Sequence, residues 1–182
     1  MARHFDAGEW TELALGLGLF HGFSKMLIAL GLEPDQMDTT VLPTPQATGA
    51  DVPPPDFDDP VVALLAPRPD LAAPWQHMAR CLDALPDVDP RLLAAARRRL
   101  AELIGVAELA PRPAADDTDE EHHGLVVELA ELFAIDVRAI DVAHRDRLRQ
   151  GLGEAGLVGH IMNLAVYDGM WRVAACRVGA PA

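Results

Sequence analysis

The chain has 182 residues, half of them apolar, and its 28 acidic against 15 basic side chains leave a formal net charge of -13. This length and composition fit a single globular domain with a sizeable core. Such an acidic chain repels phosphate backbones and anionic lipid headgroups, so neither nucleic acid nor a membrane is an expected partner. The one dense basic run, Arg97-Arg98-Arg99, lies among Leu and Ala at helical spacing and is predicted to be a solvated helix face.

The first predicted element is a helix over Glu9–Leu32, with Asp6 as its cap. Its apolar stretch is nearly long enough to span a bilayer, but His21 and Lys25 lie at its middle, where a charge is costly in lipid. We therefore expect a helix buried in a bundle, and neither a membrane span nor a signal peptide.

A proline-rich segment, residues 43–74, follows this helix and carries nine of the fifteen prolines. It is predicted to be mostly extended, with a short helix at Pro60–Leu65. Disorder is the alternative, but Phe57, Val61, Val62, Leu64 and Leu65 could anchor the segment on a helical surface. We favour an ordered wrap that crosses to a partner subunit.

Residues 75–182 are predicted to form the helical core, and nothing in the chain alternates with period two, so the predicted fold is all-α. Asp89-Pro90 is a strong helix start, and Thr118 with Glu121 forms a potential capping box. The predicted helices after the proline-rich segment are Leu71–Leu85, Pro90–Leu109, Glu120–Phe133, Asp141–Gln150 and Glu154–Arg177.

A similar segment occurs near both ends of the chain, over residues 19–25 (LFHGFSK) and 166–172 (VYDGMWR). Each copy places an aromatic residue, a polar group, a glycine, a bulky apolar residue and a cation at the same spacing. This pattern predicts an internal helix repeat, with residues 1–42 as the N-terminal copy. Gly16, Gly18 and Gly22 would weaken an isolated helix, which indicates close packing against another helix. The same glycines loosely match the pattern of a dinucleotide-binding loop, but that loop needs a preceding strand and none is predicted here.

The run from Asp89 to Gly105, which begins DPRLL and ends AELIG, together with the later Ile140-Asp141 turn and terminal helix, resembles the AhpD-like, carboxymuconolactone decarboxylase family. Residues 9–34 look like the same closing helix placed at the start. The resemblance implies an AhpD-like helical bundle that commonly forms oligomers, and we expect a homo-oligomer.

The redox motif of the peroxidase-type relatives, C-x-x-C-x-x-x-H with an upstream glutamate, has no counterpart here. The resemblance places Val106 and Leu109 at the cysteine positions, Pro113 at the histidine position and Ala94 near the glutamate position. Peroxide reduction needs one thiolate to attack and a second to resolve the sulfenic acid, so this mechanism is rejected.

The two cysteines of the chain, Cys81 and Cys176, lie far apart in the sequence. They indicate a reduced, cytoplasmic protein with buried thiols, with a single disulfide as the alternative.

Polar groups on apolar helices are the remaining candidates for chemistry. His21 and Asp168 occupy equivalent repeat positions, and a carboxylate would raise the pKa of a neighbouring histidine that acts as a general base. His160, Asn163 and Tyr167 lie on one helical stripe that could orient a small substrate. For both groups the alternative is a set of structural hydrogen bonds within the helix packing.

Glu102 could act as a proton donor if it is buried, although exposure is favoured. The adjacent pairs Glu120-Glu121 and His122-His123 diverge on a helix, so no metal site is expected. Nor is any cofactor expected. The larger apolar side chains could form a pocket wall, but we favour a place in the core. They are Trp10, Phe20, Phe23, Met26, Trp75, Met162, Met170 and Trp171.

Two hypotheses follow for function. In the first, the chain is a degenerate AhpD-like protein kept as a non-redox binding or assembly subunit, with a small molecule as a possible ligand. In the second, it is a cofactor-free acid/base enzyme for a small organic acid or lactone, with His21, Glu102, His160, Tyr167 and Asp168 as its catalytic candidates. The missing thiols and the proline-rich segment favour the first.

Overall fold

The structure is a computed structural model, and it describes residues 5–32, 52–110 and 120–178. These ranges contain helices and no strand, which confirms the predicted all-α class. The helices are α1 (Ala7–Ala29), α2 (Pro60–Ala63), α3 (Pro69–Asp83), α4 (Pro90–Ile104), α5 (Glu120–Ile135) and α6 (Val142–Val178), with short 3-10 turns at Ala107–Leu109 and Val137–Ala139.

The helix starts follow local capping chemistry. Asp6 accepts a hydrogen bond from the backbone N–H of Glu9, whose side chain accepts in turn from the N–H of Asp6, so a complete capping box begins α1. Asp89 caps α4 through the N–H of Arg91. The predicted capping box at Thr118 lies outside the described residues.

Two glycines with positive φ break the helical backbone, one at the end of α4 and one within α6. Gly105, at φ 88°, ends α4, so the single predicted helix Pro90–Leu109 is divided into α4 and a 3-10 turn. Gly153, at φ 73° and ψ 173°, interrupts α6, and the helical segments on either side match the two predicted there.

The proline-rich segment is described only from residue 52 onward, since residues 33–51 lie outside the described ranges. An extended stretch leads into α2, where Val61 and Val62 are buried as predicted, and Leu65 is buried just after it. Phe57 was also expected to be an anchor, but it is exposed. Contact with a partner subunit stays a prediction.

Helix α1 packs on α6 in an antiparallel arrangement at very short range. A Cβ on Gly18 would lie 2.7 Å from the carbonyl oxygen of Gly169, and one on Gly22 would overlap the carbonyl oxygen of Ala165. Backbones approach this closely only where side chains are absent. The two segments of the proposed repeat therefore contact each other within one chain.

The expectation that α1 would be buried in the bundle is wrong for most of its surface. Helix α1 is long and apolar enough to cross a membrane, and only 22% of its most apolar 18-residue stretch is buried. It lies on the outside of α6, with Leu17 62% and Phe20 74% exposed. The helix is not enclosed because most of its contacts are with α6, and the side that carries Leu17 and Phe20 stays exposed.

The thiols also differ from expectation. Cys81 and Cys176 were predicted to be buried, but both are exposed and unpaired. Each lies on the outward face of its helix, beside buried neighbours such as Leu82 and Ala174.

The glycine contact between α1 and α6 predicts a steep cost for one added methyl group. We expect Gly22→Ala to lower the free energy of unfolding by about 3 kcal/mol, at the upper end for overpacking, because its Cβ meets backbone that cannot rotate away. Gly124→Ala is the matched control: no atom lies within 4 Å of its added Cβ, and we expect a gain of about 0.5–1 kcal/mol from helix propensity. Urea unfolding measures both, and similar effects of the two substitutions would contradict the packing.

Candidate functional site

The five catalytic candidates from the sequence do not converge on one place. His21 and Asp168 meet at the contact of α1 with α6. His160 and Tyr167 lie on another side of α6, near α4, and Glu102 belongs to neither group.

Asp168 is fully buried, and cationic side chains from two helices surround it. Arg172, one turn later on α6, makes a bidentate contact, with Nε 2.9 Å from Oδ2 and Nη2 3.1 Å from Oδ1. From α1, Lys25 Nζ lies 3.4 Å from Oδ1 and His21 Nε2 lies 3.4 Å from Oδ2. Lys25 also donates to the carbonyl oxygen of Ala134, which ties α5 to this cluster.

The electrostatics of this cluster favour a structural role. Burial lowers the pKa of His21, and this effect outweighs the nearby charge of Asp168, which raises it. The sequence analysis expected a raised pKa for His21, and that expectation is wrong because desolvation outweighs the effect of the carboxylate. Burial likewise lowers the pKa of Lys25. Asp168 is thus contacted by side chains of both helices within the buried contact.

Arg97 is a buried polar residue that the sequence analysis placed wrongly. It was assigned to a solvated face, but it is only 5% exposed. Its Nε donates to Asn163 Oδ1, and its Nη2 lies 2.6 Å from Asp83 Oδ1 in an ion pair without hydrogen-bond geometry. Its guanidinium carbon lies 4.1 Å from the ring centre of Tyr167, a cation–π contact. The missed signal is its register, four residues after Leu93 and three before Leu100, both fully buried.

His160 is buried on the same stripe of α6, as its spacing with Asn163 and Tyr167 predicted. Its Nδ1 lies 2.7 Å from the carbonyl oxygen of Gly156 and donates to it, and Nε2 has no hydrogen-bond partner among the described residues. Burial lowers the pKa of His160, which keeps the ring neutral.

A cavity of about 450 Å³ opens beside this stripe, between α2, α3, the 3-10 turn at Ala107–Leu109 and α6. Its aromatic wall contains Trp75, Tyr167 and Trp171, with the Trp75 and Tyr167 ring centres 6.0 Å apart and those of Tyr167 and Trp171 5.3 Å apart. Arg97 and Asp83 also line it. Burial raises the pKa of the Tyr167 hydroxyl, so the phenol stays protonated.

The indole N–H groups of Trp75 and Trp171 are buried, and neither has a hydrogen-bond partner within the described ranges. Both rings line the cavity. Buried donors are normally paired, so two unpaired indole donors are unusual. Of the sequence candidates for a pocket wall, Trp75 and Trp171 lie in it, Met170 is buried, and Phe20, Phe23 and Met162 are exposed.

Glu102 is exposed, as favoured, and pairs with Arg98 and Arg99. The hydrogen bond from Arg98 is the main cause that lowers its pKa, so it is an ionised surface group. In the described part of the chain, no group of three or more His, Cys, Asp or Glu side chains is arranged to hold a metal ion.

The buried, neutral His160 predicts a pH-dependent stability. Its pKa in the folded state lies below the value of about 6.5 expected in the unfolded chain, so the unfolded state binds more protons as the pH falls through that value. We therefore expect the free energy of unfolding to fall between about pH 7.5 and pH 5.5, above the range where carboxylates titrate. His160→Gln should flatten this dependence, whereas His77→Gln, at an exposed histidine, should change it less. Urea unfolding across this pH range tests it, and an unchanged slope in His160→Gln would contradict it.

Comparison with known proteins adds no relative to these observations. No protein-family model matches the chain, and neither a curated protein nor a solved structure matches it. The functional argument therefore rests on the geometry of the cavity and of the paired charges around it.

Proposed function

We propose that this chain is a non-redox protein on an AhpD-like helical scaffold that binds a small organic molecule in the cavity beside α6. The family assignment is supported by the helix order around Asp89–Gly105 and by the all-α architecture. The observation that carries the proposal is the cavity of about 450 Å³, whose lining combines aromatic and aliphatic side chains with polar and charged ones. Small-molecule sites are concave and combine apolar walls with polar groups that fix the orientation of the ligand.

Binding is favoured over the alternative of acid/base catalysis because four of the five catalytic candidates do not line the cavity. His21 and Asp168 belong to the contact of α1 with α6, and Glu102 is ion-paired at the surface. Of the five candidates, Tyr167 alone lines the cavity, and burial raises its pKa, which opposes its use as a base. A general base must lie within hydrogen-bond reach of its substrate.

We also propose that the chain self-associates through the outer face of α1, defined by Leu13, Gly16, Leu17 and Phe20. The large side chains of this face are exposed, and no atom lies within 4 Å of a Cβ placed on Gly16. Two antiparallel copies related by a two-fold axis would place Phe20 of each over Gly16 of the other. Such a self-complementary contact closes as a dimer.

The distribution of charge on α1 favours contact of this face with a second copy of the chain over contact with a lipid surface. Interfacial membrane helices carry Lys or Arg on their polar side, whereas the single basic residue of α1, Lys25, turns inward to Asp168. In a chain of net charge -13, an uncharged face is the place where two copies approach with least repulsion.

Filling the cavity should abolish ligand binding. Ala79 is buried and lines the cavity, so Ala79→Leu adds three carbon atoms to its interior. We expect planar bicyclic fragments to bind the wild-type chain in ligand-observed NMR and to lose at least tenfold in affinity for Ala79→Leu. Ala155→Leu, on the exposed surface of α6, is the control and should bind as the wild type does. Absence of binding to the wild type would sink the proposal.

Placing a charge on the outer face of α1 should dissociate the dimer. We expect the wild-type chain to sediment as a dimer at micromolar concentration and Phe20→Glu to sediment as a monomer. Ile135→Glu is the matched control, because Ile135 is equally exposed but lies at the end of α5. A monomeric wild type, or one that floats with lipid vesicles instead of dimerising, would refute self-association.

A further inference from the structure

Helix α3 carries a histidine and a cysteine on its outward face that the proposed binding function does not use. His77 and Cys81 are four residues apart, so they are neighbours on one side of the helix. Both are exposed, and the Nε2 atom of His77 lies 3.8 Å from the Sγ atom of Cys81. Neither residue lines the cavity beside α6. They form a separate pair that solutes can reach from solvent.

The separation of these two atoms is close to that of two ligands on one zinc ion. Zinc bonds are about 2.3 Å long to sulfur and about 2.0–2.1 Å long to imidazole nitrogen, so at a tetrahedral angle the two ligand atoms lie about 3.6 Å apart. The observed separation is 3.8 Å, which a small rotation of either side chain brings to this value. One ion can therefore contact both atoms while the helix backbone stays in place.

The opposite side of α3 fixes the spacing of the pair before any ion arrives. Trp75, Ala79 and Leu82 are buried in the core, which holds the helix against the rest of the bundle. Ligands on a helix that is already anchored lose little conformational freedom on binding.

The position of the pair near the end of α3 favours a cation. The helix ends at Asp83, two residues after Cys81, and the last turn of a helix carries partial negative charge. Arg80, the basic residue of this turn, lines the cavity instead. Helix ends that activate a bare thiolate are N-termini, so a reactive thiol is the less favoured interpretation of this pair.

We propose that His77 and Cys81 form a two-ligand site for a zinc ion or a similarly soft divalent cation. The ion is held by the thiolate of Cys81 and by Nε2 of the neutral imidazole of His77. On binding, the thiol proton passes to solvent and the sulfur–metal bond takes its place. This ligand set selects against magnesium and calcium, which prefer oxygen ligands. Water fills the two remaining tetrahedral positions.

Zinc titration of the full chain, kept reduced with a phosphine, tests the site. We expect one Zn²⁺ per chain with micromolar affinity in competition with a fluorescent chelator. Cys81→Ser and His77→Gln should each lower the affinity at least tenfold, whereas His77→Cys should retain it, because a second thiolate is also a zinc ligand. Cys176→Ser is the matched control, since Cys176 is an exposed thiol without a histidine three or four residues away in the sequence.

Cobalt(II) reports on the thiolate ligand directly. The wild type and Cys176→Ser should show the charge-transfer absorption of a thiolate–cobalt bond, and Cys81→Ser should lack it. Urea unfolding without metal checks that each variant keeps its fold. An unchanged zinc affinity in both Cys81→Ser and His77→Gln would place the ion elsewhere and overturn the proposal. A loss in Cys81→Ser alone, or no zinc binding by the wild type, would overturn it as well.

Discussion

The close contact between α1 and α6 is the constraint on which the other arrangements depend. Gly18 and Gly22 bring the two backbones together, and no room is left for water around the side chain of Asp168. A carboxylate in such a place needs paired charges, which Lys25 and Arg172 supply from the two helices. The same side chains therefore hold α1 in register on α6.

This contact also determines which way the rest of α6 faces. Successive residues on a helix are about 100° apart, so Asp168 can point at α1 while Tyr167 points toward α4 and the cavity. For that reason the pair of His21 and Asp168 and the pair of His160 and Tyr167 lie on different sides of α6 and do not form one site. Asp168 and His21 belong to a helix contact, and Tyr167 and Trp171 line the cavity.

The cavity is polar where charges are paired and apolar elsewhere. Arg97 is buried between Asn163, Asp83 and the ring of Tyr167, and this pairing makes its burial tolerable. The titratable candidates His21, Asp168 and Glu102 lie away from this cavity, in a helix contact or at the surface.

The sequence by itself determined the all-α class, most helix boundaries and the close packing at Gly18 and Gly22, though not at Gly16, which has open space beside it. Capping residues, prolines, glycines and apolar periodicity act through neighbours in the chain. It also placed His160, Asn163 and Tyr167 on one stripe, since helical spacing fixes that geometry. Only the tertiary structure decided that Arg97 is buried, that α1 lies outside the bundle and that Asp83 and Trp75 join Tyr167 at a cavity. Burial and charge pairing depend on which helix faces which, and residues far apart in the chain settle that together.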